Sequence, residues 1–250
     1  MKKGSFLATA IIVLSSWSLA YAQDAEEIIR QMDLNMRGEE SIQEMEMTIV
    51  RPTWDRTIAM KSWSKGQDYS MILITEPAKE RGQAFLKRDK EMWNWLPSID
   101  RMIKIPPSMM MQSWMGSDFT NDDLVRESSI VKDFTHHLEG EETIRGHEAY
   151  RIRLDPKPDA AVVWGKILIW VGKEDLLELK AEFYDEDGYL VNTMQLSDIR
   201  EMGGRKLPTH WEMIPADEEG KKTVLQLISA DFTVDIEESF FSQQNLKRLR

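Results

Sequence analysis

The spacing of apolar side chains is helical near the start of the chain and strand-like for most of the rest. Ile28, Ile29, Met32 and Met36 recur three and four positions apart, and Asp24 followed by Glu27 has the spacing of a capping box. Gly38 is placed to stop the helix, so the pattern predicts one amphipathic helix of about four turns. From Ser41 the period falls to two: Met45, Met47 and Ile49 alternate with Glu44, Glu46 and Thr48, as on a half-buried strand.

Further strand-like pieces run over Thr57 to Lys65, Asp68 to Thr75, Gly82 to Arg88, Glu91 to Leu96 and Ile99 to Ile105. They are separated by tight-turn dipeptides such as Lys65-Gly66 and Pro97-Ser98. A second block holds Tyr150 to Leu154, Val162 to Val171, Leu177 to Phe183, Tyr189 to Ser197, Leu207 to Ile214 and Thr223 to Phe232, with a short terminal helix or tail over Glu237 to Arg250. Such short connections imply antiparallel neighbours. The pattern therefore predicts a mainly β protein with few helices: about ten or eleven antiparallel strands in one sheet, which must curl or close to hide its edges. Residues 23–250 are expected to form a single domain, since no repeat or low-complexity linker interrupts them.

Between the two blocks, Pro106-Pro107 stops the strand pattern and Ser108 to Leu124 follows neither period. This stretch places Met109, Met110, Met111, Trp114, Met115 and Phe119 beside Gly116, Ser117, Asp118, Thr120 and Asp123. Methionine adapts to irregular apolar partners, while the glycine and the small polar residues suit a fixed turn. Thr120 and Asp123 have capping-box spacing, so a short helix is expected to begin here. The segment reads as a lid over one sheet face, with a turn at Gly116 to Asp123 and an adaptable apolar end at Met109 to Met115. The candidate lining of a hydrophobic ligand site is this apolar end and Phe119, together with Trp63, Met71, Leu73, Trp93, Trp95 and Met102.

The N-terminus changes the picture of where such a protein works. Lys2 and Lys3, an apolar run from Phe6 to Leu14 and Ala20-Tyr21-Ala22 make the pattern of a signal peptide over residues 1–22. With no cysteine in the chain, neither disulfides nor a cysteine-linked lipid anchor are expected, and the core alone must hold the fold. The formal charge is −11, and removal of Lys2 and Lys3 makes it more negative, which disfavours nucleic acid or an anionic membrane surface as a stable partner.

Candidate catalytic chemistry is sparse. His136, His137, His147 and His210 show no metal-ligand spacing, and no nucleophile elbow, phosphate loop or dinucleotide fingerprint is present. The acids of Asp118, Asp122 and Asp123 lack an EF-hand pattern, and capping accounts for them. No catalytic residues, metal or cofactor are expected.

Trp114-Met-Gly-Ser-Asp-Phe-Thr-Asn-Asp-Asp-Leu124 between two strand blocks, with Trp164-Gly-Lys-Ile-Leu-Ile-Trp170 and Lys206-Leu-Pro-Thr-His-Trp211, resembles the outer-membrane lipoprotein-sorting protein family. These are relatives of the periplasmic carrier LolA, often associated with exporters of the resistance-nodulation-division type. The resemblance implies a single curved antiparallel sheet, an incomplete β-barrel with helices across its mouth and an apolar cavity between. It also implies no catalysis, a ligand that is a lipid or the acyl chains of a lipoprotein, and a location in the periplasm of a Gram-negative bacterium. Arg51, Arg56, Arg81 and Arg88 are alternatives for the family's lid-gating arginine. The expected function is carriage of that ligand between inner-membrane machinery and the outer membrane by a monomer that touches membranes only transiently. The alternative is an accessory subunit of the exporter that carries nothing.

Overall fold

The computed structural model describes residues 25–89, 91–125, 129–158, 160 and 162–249. The expected signal peptide and the Asp24 cap lie outside these residues. Residues 25–37 form helix α1. Gly38 ends it with φ +73°, and its N–H closes the last turn on Leu34 O at 2.8 Å, the left-handed C-terminal stop for which glycine carries no steric cost.

The rest is one antiparallel sheet. Its first block is β1 (Glu40–Arg51), β2 (Trp54–Lys65), β3 (Tyr69–Glu76), β4 (Ala84–Arg88), β5 (Glu91–Leu96) and β6 (Arg101–Ile105). The second is β7 (Phe134–Ile144), β8 (His147–Pro156), β9 (Lys166–Gly172), β10 (Glu178–Tyr184), β11 (Leu190–Met202), β12 (Arg205–Pro215) and β13 (Lys222–Asp231). Across the sheet the order is β6-β5-β4-β3-β2-β1-β13-β12-β11-β10-β9-β8-β7. Each block is a meander, and the two are joined by β1 against β13. The sheet is curved and open, with β6 and β7 as its two edges.

Thirteen strands are present where about ten or eleven are expected; each of the twelve strand-like pieces of the pattern has its strand, and β7 has no counterpart among them. Only Phe134 and His136 of its residues are buried, and Gly140 sits at a register shift against β8. An edge strand that is polar on its outer side and bulged in its middle carries little alternation.

Two apolar clusters sit on opposite faces. On the inner face, Ile29 and Met32 of α1 pack against Met47, Ile49, Ile58, Ile74, Ile152, Ile169 and Met213. On the outer face, Met71, Leu73, Leu86, Trp93 and Trp95 are covered by Ile236, Phe241 and Leu246 from the C-terminal segment. β3 shows the division within one strand, with Met71 and Leu73 outward and Ile72 and Ile74 inward. That both sides are covered explains why Met71 to Ile74 are all buried.

Candidate functional site

The order of the strands gives residues 106–133 a special task, because β6 and β7 are opposite edges and the chain must travel between them. It does so over the inner face as a hairpin. Trp114 N–H donates to Phe119 O at 2.8 Å and Asn121 N–H to Gln112 O at 2.9 Å, with Ser113 bridged to Thr120. At the tip, Met115 and Gly116 have φ +53° and +80°, a reversal that glycine makes without strain. Ser117 Oγ donates to Trp114 O at 2.7 Å and accepts from Phe119 N–H, which fixes the turn.

The hairpin ends in a capping box of the kind its sequence predicts. Thr120 N–H donates to Asp123 Oδ2 at 2.8 Å and Asp123 N–H to Thr120 Oγ1 at 3.1 Å, at the start of α2 (Asn121–Val125). Asp123 also accepts from Trp164 Nε1 at 3.1 Å. Burial pushes its carboxyl above the ordinary range, against the pull of those donors. α3 (Ser129–Lys132) then leads into β7.

Polar contacts pin the hairpin to the middle of the sheet. Asp118 takes Arg51 Nη2 on one oxygen at 2.9 Å and Arg51 Nη1 on the other at 3.0 Å, and Thr223 Oγ1 donates to it at 2.6 Å. Arg51 Nη2 also donates to Gly116 O at 3.2 Å, and Arg56 donates to Met115 O. Apolar contacts add to these: Trp114 is fully buried with its ring centroid 5.1 Å from that of Phe85, and Met110 packs with Met92 and Ile105. Of the apolar end, Met109 and Met115 are half-buried, and only Met111 stands 51 % exposed.

Two cavities lie between the sheet and these covering elements. One, of about 120 Å³, is lined by Met36, Met45, Met60, Ile72, Trp211 and Leu225 together with Asp33, Arg37, Lys87 and several serines. The other, of about 90 Å³, is lined by Met32, Met36, Phe119, Ile130, Phe134, Trp164, Phe183, Met194, Trp211 and Met213, with Asp122 and Asp123 at the hairpin side. Asp33, Met36 and Trp211 line both, so these three side chains stand between them. Ligand sites for drug-sized molecules run to roughly 300–1,000 Å³, so helix and hairpin are packed down on the sheet.

The sequence-predicted site residues divide into two groups, apart from Met111, which is exposed. The hairpin residues Met109, Met110, Trp114, Met115, Phe119, Gly116, Ser117, Asp118, Thr120 and Asp123 are brought together over the inner face. Trp63, Met71, Leu73, Trp93, Trp95 and Met102 are on the outer face, under the C-terminal segment, where Trp63 meets Phe240 at 5.6 Å between centroids. Neither cavity has any of those six in its lining. The lining that sequence reasoning passes over is Met60, Ile72, Phe134, Phe183, Met194 and Met213, each the inward partner of an alternating strand. Among the described residues no group of three or more His, Asp or Glu could hold a metal ion, and no helix is long and apolar enough to cross a membrane.

An open, curved antiparallel sheet with one helix and a hairpin across its inner face is the LolA-like fold. Comparison with known proteins agrees. A family model described as uncharacterized-protein-like matches residues 66–248. The fold matches a DUF1329 family protein from Desulfovibrio piger at TM-score 0.83 and 26% identity, covering 90% of this chain and 99% of that one. A LolA superfamily protein from Nitrosomonas europaea matches at TM-score 0.76 and 26% identity, covering 88% and 98%. An outer membrane lipoprotein-sorting protein domain from Vibrio parahaemolyticus matches in fold at TM-score 0.79 and 24% identity, covering 91% and 100%. No curated protein sequence matches. The chain belongs to the family of the model that matches residues 66–248, most of its length, and its fold is LolA-like.

Proposed function

We propose that the protein is a periplasmic carrier that shields a lipid, or the acyl chains of a lipoprotein, between its sheet and the covering α1 and hairpin. It exchanges that cargo between inner-membrane machinery, an exporter of the resistance-nodulation-division type included, and the outer membrane. It works as a non-catalytic monomer, touches membranes only at loading and release, and needs no cofactor. The observation that carries this reading is the cover itself. The inner face is apolar along most strands, and among the described residues α1, the hairpin and the short α3 lie over it, with two cavities beneath them. Each methylene taken from water into such a space gains about 0.8 kcal/mol, so a chain of modest length would offset the opening of the cover.

Mass spectrometry of material extracted from freshly purified protein tests the reading, followed by titration of the delipidated protein with a fluorescent long-chain fatty acid. A co-purifying lipid and saturable binding are expected. Absence of both overturns it.

The docking alternative draws on a different observation. Ile99, Ile103 and Met111 are exposed, and all lie on or near the free edge β6. Deletion of residues 108–124 separates the readings, since a docking subunit would lose its exporter on co-purification while a carrier would lose lipid loading.

A further inference from the structure

The larger cavity has a floor that a purely apolar cargo does not require. Read across the register, Ser41 of β1 pairs with Ser64 of β2, Ser64 with Ser70 of β3, and Ser70 with Lys87 of β4. These four form one lateral row on the inner face, and all line the cavity. Two rows further along the same strands, the pairing is Met45 with Met60, and the row after that is Met47 with Ile58. Side chains thus switch from apolar to hydroxyl and ammonium within a few residues, at positions where β-branched residues would pack better.

A solvated rim would explain such a row, but the burial of its two ends speaks against that, Ser64 and Ser70 between them being half-buried. Ser41 is 2 % exposed and Lys87 8 %, although lysine is almost never so buried without a reason. The row is also held in place. Ser41 Oγ and Ser64 Oγ share a hydrogen bond at 2.8 Å, and Lys87 Nζ donates to Gln67 O at 2.8 Å. Above it stands the C-terminal end of α1, where Arg37 is paired to Asp33 at 2.8 Å. The buried Nε–H of Arg37 finds no acceptor among the described residues. Two cations against one carboxylate, with hydroxyl donors beside them, give this lining an excess of positive charge inside a chain whose net charge is −11.

We infer that the Ser41–Ser64–Ser70–Lys87 row recognises an anionic head group, phosphate or carboxylate, on the cargo. The inference rests on the carrier reading and gives the cargo a polarity. Its head lies on the row beneath Arg37, and its chain passes Met36 and Trp211 into the aromatic-lined cavity formed by Phe119, Trp164 and Phe183.

The test compares decyl phosphate with 1-decanol, which share one chain, and with inorganic phosphate, by calorimetry on delipidated full-length protein. Wild type is expected to prefer decyl phosphate over decanol by about tenfold, the scale of one charge-assisted hydrogen bond. Lys87→Met should remove most of that preference. Ser64→Val with Ser70→Val should weaken the preference in the same direction, and these variants serve if Lys87→Met does not fold. Equal binding of the two amphiphiles to wild type overturns the head-group assignment and leaves the carrier reading standing. Binding of neither overturns both. Inorganic phosphate binding as tightly as decyl phosphate shows a site for the free anion and overturns the assignment to a head group.

Discussion

Arg51, the last residue of β1, holds Asp118 at the tip of the hairpin through both guanidinium nitrogens, at 2.9 and 3.0 Å, with the two side chains 13 % and 7 % exposed. Asp118 is therefore the point where a connector running between the two sheet edges is fastened to the sheet's centre, next to the β1–β13 pairing. A bidentate pair of this kind fixes orientation as well as position. It makes the hairpin a fixed cover rather than a loose loop.

Breaking that pair from one side leaves a charge buried without its partner. Asp118→Ala should destabilise the protein by about 3 kcal/mol in urea unfolding, the range for a broken buried ion pair. Replacing both partners, Arg51→Met with Asp118→Leu, should recover most of the loss, since an apolar pair carries no desolvation cost. If the double variant is as unstable as the single one, the charges are not the main fastening.

Trp114 gives a sharper test of how the hairpin packs. It is fully buried, and its indole Nε1 finds no acceptor among the described residues. Trp114→Ala should cost about 3–5 kcal/mol through the cavity it leaves. Trp114→Phe should cost less than about 1.5 kcal/mol, because losing an unsatisfied buried donor offsets part of the lost volume. Chemical denaturation of the two variants checks the ordering.

His136 makes stability depend on pH. Its Nε2 lies 2.8 Å from Ile130 O, tying β7 to α3, and burial pushes its pKa below the ordinary imidazole range. A lowered folded value means that the unfolded chain binds the proton more readily. The contribution is then full above about pH 6.5 and is lost as pH falls below it. Urea midpoints measured from pH 5 to 7.5 should fall toward acid, and His136→Gln should flatten that part of the curve.

Much of this architecture is legible in the chain. Alternation at Met45, Met47 and Ile49 marks a strand, the 3.6-residue spacing through Met36 marks α1, and Thr120 with Asp123 marks the capping box that the hairpin contains. β7 is not legible, because an edge strand answers to one neighbour and needs only two buried positions. Nor is the face on which a residue lies. In Met71-Ile72-Leu73-Ile74 every side chain is buried, and which pair meets the helix depends on the C-terminal segment, some 160 residues later, covering the other side. For the same reason Trp63, Trp93 and Trp95 read as cavity lining, since a large apolar side chain on a strand looks the same whichever element covers it.

The two faces should therefore separate under mutation. Trp95 lies under the C-terminal segment, with Lys247 over its ring at 5.2 Å, whereas Trp211 stands between the two inner cavities with its Nε1 bound to Pro208 O at 2.8 Å. Trp95→Ala should lower stability by about 3–5 kcal/mol, as should Phe241→Ala beside it, with lipid affinity per folded molecule unchanged. Met36→Ala enlarges the space between the cavities and should instead alter the affinity for decanol or a longer alcohol more than it alters the unfolding midpoint. Titrating each variant well below its midpoint temperature separates the effects. Loss of binding in the Trp95 variant at full folding would return the ligand site to the outer face.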